Sequence, residues 1–245
     1  MSDDTIGGVL AFAPLHNNPG KKDADYFQSR ARAFCQIHGG KVVIFDDLQS
    51  MHRRAADVLA AITAYSGPTK LVCVAFFNHG WARGIEAGFD LRASMGMSPA
   101  VLADALSKKA GAGVIVPLYA CSTADDPATP GPTEDTDGAP GGDGGFADQL
   151  RDALCKRGLT NCRVDAHDVK GDTTLNPRVR RFEGDGSFVG GYGGKWIVPP
   201  KLELAGREVP NPLFAKWTAA LKRGLDMEFP FLGTDEIERR LSMLP

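Results

Sequence analysis

The sequence predicts an α/β fold, a mostly parallel sheet carrying helices on both faces. Three observations point there. Short apolar runs rich in β-branched residues alternate with stretches whose apolar residues recur every three or four positions, and parallel strands need crossovers for which a helix is the usual solution. Leu71 to Phe77 and Gly113 to Ala120 are apolar almost without interruption, as strands covered on both faces must be. The 245 residues suit one large domain with a sizeable core.

Each element has its own signal. Ile6 to Ala13 reads as the first strand, and Phe27, Ala31, Phe34 and Ile37 recur at helical spacing until Gly39-Gly40 stops them. Val42 to Phe45 is a second strand. Met51, Ala55, Val58, Leu59 and Ile62 mark the face of a second helix ending before Gly67-Pro68. After the strand Leu71 to Phe77, a helix opens at Ser98-Pro99, with Val101, Leu102, Ala105 and Leu106 inward. Gly113 to Ala120 is the fourth strand; Phe146, Leu150, Ala153 and Leu154 mark a helix leading to a fifth strand near Val164. Two further helices are expected over Phe214 to Arg223 and Asp235 to Leu244. The whole chain, 1–245, reads as one domain with its core in about 5–168, and 169–245 as an appended segment. Between Asp125 and Asp148 lie seven acidic residues, six Gly, four Pro and no Lys or Arg, a composition that predicts a mobile loop.

A net charge of -2 and a charged content of 24% argue against electrostatic capture of nucleic acid. No apolar run approaches the length that spans a bilayer, and the acidic N-terminus with Asp3 and Asp4 lacks a signal-peptide core. The expectation is a soluble, cytoplasmic protein with no nucleic-acid or membrane partner. Five cysteines, at 35, 73, 121, 155 and 162, are an odd number that predicts free thiols, with Cys35 and Cys73 as small core hydrophobes. Gly190 to Lys195 has the look of a phosphate loop, but Val189 and Trp196 stand where Walker A needs Gly and Ser or Thr. The cluster Arg178, Arg180 and Arg181 reads as a solvated face.

In open parallel sheets, ligands gather beyond the carboxyl ends of the strands. There this chain places Leu15-His16, Asp46-Asp47, Asn78-His79-Gly80, Tyr119-Ala120-Cys121 and His167-Asp168. Strands three and four are joined by one crossover and should be neighbours, which sets the His79 imidazole beside the Cys121 thiol. A thiol attacks as thiolate, and a neighbouring imidazole both favours that form and protonates the leaving group. Gly80, lacking a side chain, would let a substrate carbonyl approach its N–H, which with the Cys121 N–H would make an oxyanion hole.

An apolar strand ending in His79-Gly80, followed some forty residues later by an apolar strand ending in Ala120-Cys121, resembles the caspase-like (clan CD) cysteine peptidases over roughly 5–168. The resemblance implies a caspase-like three-layer sandwich, a His79–Cys121 dyad, a peptide or protein substrate and no cofactor or metal. It implies too that residues near Asp168 to Trp196 shape substrate pockets. The chain departs from the pattern at Tyr119, where metacaspases and legumains carry an acidic residue, and at Ser122-Thr123 after the cysteine. His16 stands about where caspases carry a substrate-binding arginine, whereas Asp46, Asp47 and Asp168 would favour a basic side chain; with Tyr119 these complete the expected substrate contacts. Two other functions compete with a cysteine endopeptidase. One is a zinc-activated water held by His16, His79, His167 and an Asp; the other is a non-catalytic relative that binds partners. Self-cleavage in the 125–148 loop would require a preference for Asp.

Overall fold

The computed structural model describes residues 8–17, 26–125, 144–171, 174–186 and 194–245. In chain order they form β1 (Gly8–Pro14), α1 (Tyr26–His38), β2 (Lys41–Phe45), α2 (Met51–Thr63) and β3 (Leu71–Phe77). Three two-residue strands follow, β4 (Gly80–Trp81), β5 (Gly84–Ile85) and β6 (Phe89–Asp90), then α3 (Pro99–Ser107), β7 (Ala110–Tyr119), α4 (Phe146–Cys155) and β8 (Arg163–His167). The C-terminal part contributes β9 (Val179–Glu183), β10 (Lys195–Trp196), the hairpin β11 (Lys201–Leu204) and β12 (Arg207–Pro210), α5 (Pro212–Leu221), two 3-10 turns (Leu225–Met227 and Phe229–Phe231) and α6 (Thr234–Ser242). Local chemistry sets several boundaries. The Ser50 hydroxyl caps α2 by accepting from Arg53 N, the Asn211 carboxamide caps α5 ahead of Pro212, and Gly39 ends α1 at φ 68.

The central sheet has seven strands in the order β10-β9-β8-β7-β3-β1-β2. The five from β8 to β2 are parallel; β9 runs antiparallel to β8, and β10 to β9. The period of two along each strand divides the core into two apolar layers. Leu10, Phe12, Val74, Phe76, Val116 and Leu118 face α2, α3 and α4, meeting Val58, Ile62, Leu102, Leu106, Phe146 and Leu150. Val9, Ala11, Cys73, Ala75, Phe77 and Tyr119 face the other way, against Phe27, Ala31 and Phe34 of α1 and Trp217, Phe229 and Leu241 from the C-terminal part. The architecture is therefore the expected α/β sandwich with helices on both faces. No helix among the described residues is long and apolar enough to cross a membrane.

Several expectations need correction. The segment after residue 168 is integral, because β9 and β10 extend the sheet and α5 and α6 share one helical layer with α1. Arg180 and Arg181 form no solvated face; each is 3% exposed. Arg181 Nε donates to the fully buried Asp165 at 2.8 Å, and Arg180 Nε to Asp168 at 3.2 Å. Asp148 belongs to α4, where it is buried and ion-paired with Arg151. The rest of the expected acidic loop, 126–143, and Gly190 to Gly193 lie outside the described residues.

Candidate active site

Strands β3 and β7 are adjacent and parallel, with Phe77 directly opposite Tyr119. Two residues beyond these positions, past the ends of the two neighbouring strands, stand His79 and Cys121. Phe77 and Tyr119, their rings stacked at a centroid distance of 4.3 Å, form the floor behind them. Beyond Cys121 the chain turns sharply. Ser122 adopts a left-handed φ of 54, a conformation that costs a non-glycine residue energy. The turn is held by Thr123 Oγ1 donating to Ala120 O at 3.1 Å and by Ala124 N donating to His167 O at 2.9 Å on β8.

Gly80 is required by packing. A Cβ there would lie 2.7 Å from Thr123 Cγ2, 2.8 Å from Ala120 Cβ and 2.9 Å from Cys121 O. The side of Gly80 on which a Cβ would stand therefore faces the turn bearing the cysteine. The missing side chain is what lets the His79-Gly80 segment lie directly on that turn.

His79 is exposed and sits edge-on to Phe27 of α1, the ring centroids 5.0 Å apart. Its backbone N–H donates to Glu86 Oε2 at 3.2 Å, and Glu86 N returns a bond to His79 O at 2.9 Å. Burial pushes the Glu86 carboxyl up, against the pull of His79. Cys121 is partly exposed, its Sγ 3.6 Å from Gly171 O in the loop after β8. The other four cysteines are buried. Burial raises the thiols of Cys35, to about 11, of Cys73 and of Cys155, which makes them poor nucleophiles. Cys155 and Cys162 approach to an Sγ–Sγ distance of 3.8 Å as thiols.

The expected substrate contacts do not survive intact. Tyr119 is 1% exposed and its hydroxyl donates to Asp226 O at 2.6 Å, so it supports the site from below and does not line a groove. Asp168 is neutralised by Arg178 at 3.1 Å and Arg180 at 3.2 Å, with the Arg180 guanidinium 3.7 Å over the Trp196 ring. Asp46 accepts from Leu48 N and Gln49 Nε2, both at 3.0 Å, bonds that with His16 nearby hold its carboxyl below the usual range. His16 Nε2 lies 3.6 Å from Asp46, and Asp47 accepts from His16 N and Asn17 N. These residues build the rim at β1 and β2.

The zinc alternative fails on spacing. His16, His79 and His167 leave β1, β3 and β8, and β1 and β8 are three strand intervals apart in the sheet, about 14 Å at the usual strand separation. That is far beyond a shared coordination sphere. The His/Asp group close enough for a common ion among the described residues is His16 with Asp46 and Asp47, a group that includes neither His79 nor His167. Two acids escaped sequence reasoning, Glu86 beside the His79 backbone and Asp226 behind Tyr119. Glu86 carried no motif. Asp226 shares the stretch Leu225 to Phe231 with Glu228 and carried no motif either. Comparison with protein-family models, curated proteins and solved structures finds no match for this chain.

Proposed function

We propose that this α/β protein is a cysteine endopeptidase of caspase-like type, acting through Cys121 and His79. The observation that carries the reading is the in-register pairing of β3 and β7, with the glycine after His79 packed against the turn bearing Cys121. The chemistry uses groups of this chain alone. The Cys121 thiolate attacks the substrate carbonyl carbon, the C–S bond forms, and the carbonyl electron pair moves to oxygen as backbone N–H groups of Gly80 and Cys121 receive it. Collapse expels the amine, which takes its proton from His79. Water then gives a proton to His79 as its oxygen attacks the thioester, releasing the carboxylic acid and restoring the thiol.

The strand order β8-β7-β3-β1-β2, with a nucleophile and a base just beyond the ends of adjacent central strands, also fits the resemblance noted in the sequence. The free state of five cysteines, two of them 3.8 Å apart, agrees with action in a reducing compartment such as the cytoplasm. The test is cleavage of a proteome-derived peptide mixture by wild type and by Cys121→Ala, read as new termini by mass spectrometry. Termini should appear with wild type and vanish with the variant, a loss of at least about 10³-fold. Equal cleavage by both proteins overturns the proposal. Labelling of Cys121 by iodoacetamide, with the four buried cysteines spared, is the companion measurement.

A further inference from the structure

The geometry points to Glu86 as the positioning residue of this site, its carboxylate fixing the His79 main chain and through it the imidazole that protonates the leaving amine. The inference rests on the reading of Cys121 and His79 as the dyad. The hairpin of β4 and β5 pairs Gly80 with Ile85 and Trp81 with Gly84, so His79 and Glu86 are the next pair in register. Glu86 N donates to His79 O at 2.9 Å, and in a regular antiparallel pair His79 N would return the bond to Glu86 O. Here it goes to Glu86 Oε2, at 3.2 Å. The Glu86 carbonyl is taken by Arg54 Nη1 of α2, also at 3.2 Å, and the same nitrogen lies 3.9 Å from Glu86 Oε1. Arg54 is itself held, donating to Gln49 O at 2.8 Å and to Asp47 O. A side chain thus replaces a main-chain carbonyl as the acceptor for His79, and a cation from α2 occupies the carbonyl.

The replacement matters because little else orients the base. A catalytic imidazole is usually oriented by a third group bonded to its ring. Among the described residues the His79 ring meets Phe27 edge-on, at 5.0 Å between centroids, and makes no hydrogen bond. Its place therefore follows from that contact and from the main chain that carries it, which Glu86 grips at both N–H and C=O. Without the carboxylate, His79 N would turn to the carbonyl that Arg54 now holds, and the ring would move with it. Glu86 acts through the main chain of the base, so its loss should slow the chemical step and leave substrate binding unchanged.

The test measures kcat and KM on a peptide that wild type cleaves, with Glu86→Ala, Glu86→Gln and Glu86→Asp in the full chain. Glu86→Ala should lower kcat by about 10- to 100-fold and leave KM within about threefold. Glu86→Gln keeps an acceptor at the same reach and should bring kcat to within about threefold of wild type. Glu86→Asp keeps the charge but is one methylene short, so its kcat should fall as in Glu86→Ala; if Glu86→Ala does not fold, the contrast of Glu86→Asp with Glu86→Gln decides. The nuclear Overhauser contact between the His79 and Phe27 rings is a readout independent of turnover, and it should persist in Glu86→Gln and weaken in Glu86→Asp. Wild-type kcat or an unchanged ring contact in folded Glu86→Asp overturns the inference, as does a loss of kcat shared by Glu86→Gln, and the proposed function survives each of these. Cleavage that persists in Cys121→Ala, or a folded wild type that cleaves no peptide, removes the proposed function and this inference with it.

Discussion

At the scale of single residues, two positions are tightly constrained by their surroundings. Asp226 holds a carboxyl raised to about 6 by burial, against about 4 in an unfolded chain. Below pH 4 the group is neutral in both states and costs nothing. As pH rises from 4 to 6 the unfolded chain ionises first, so the folded state loses stability through that window and carries the full penalty above it. Asp226→Asn should therefore raise stability at pH 7 by about 2 kcal/mol, with the gain vanishing by pH 4, as denaturant titrations at both pH values would show. A gain that does not change with pH would mean that the Asp226 charge is not under strain. Gly80 is the second position. An alanine there meets the Cys121 carbonyl and the Thr123 methyl at under 3 Å, so the turn must shift. Gly80→Ala should cost about 1–3 kcal/mol and slow iodoacetamide labelling of Cys121 together with peptide cleavage. Labelling at the wild-type rate would show that the glycine does not position the thiol.

At the scale of elements, the site depends on strands that contribute no catalytic group. β8 anchors the turn after Cys121 through His167 O. β9 supplies Arg180, which neutralises Asp168, and Arg181, which neutralises Asp165. Arg181 also donates to Leu232 O at 3.0 Å and to Phe229 O at 3.4 Å, tying the sheet to the turns that position Asp226. Asp165 is fully buried, so Arg181→Met strips its best partner and should cost about 3 kcal/mol, measured by thermal unfolding. An unchanged melting temperature would show that the Arg181–Asp165 pair does not stabilise the sheet.

At the scale of the whole molecule, the sheet is covered on one face by α2, α3 and α4, all upstream of β8. The other face is covered jointly by α1 and by helices that begin at Pro212. Deleting 211–245 would uncover Tyr119, Phe77 and Cys73 and remove the buried Trp217 and Phe229, whose loss alone amounts to about 6 kcal/mol or more. The shortened chain should bind a hydrophobic dye and lose its cooperative unfolding transition. Retention of a sharp transition would restore the view that the core ends near residue 168.

What could be read from the amino acids followed from periodicity and chain order. Leu71 to Phe77 was legible as a buried strand because it has no polar face. The amphipathic stripes of α1, α2 and α4 were legible because their apolar residues return every three or four positions. The adjacency of β3 and β7 was legible from the rule that one crossover joins adjacent strands. Strands β9 and β10 were hidden, since Arg180 and Arg181 mimic a solvated loop until tertiary partners neutralise them. Which acids are bonded through both oxygens was also undecidable in one dimension. Asp46, Asp168 and Asp226 look alike along the chain, but two of them spend their acceptors on Gln49, Arg178 and Arg180, and the third is left with a bare oxygen. Pattern along the chain dictates which face of an element is apolar, whereas the charge state and free valence of a buried polar group depend on partners that only folding brings within reach.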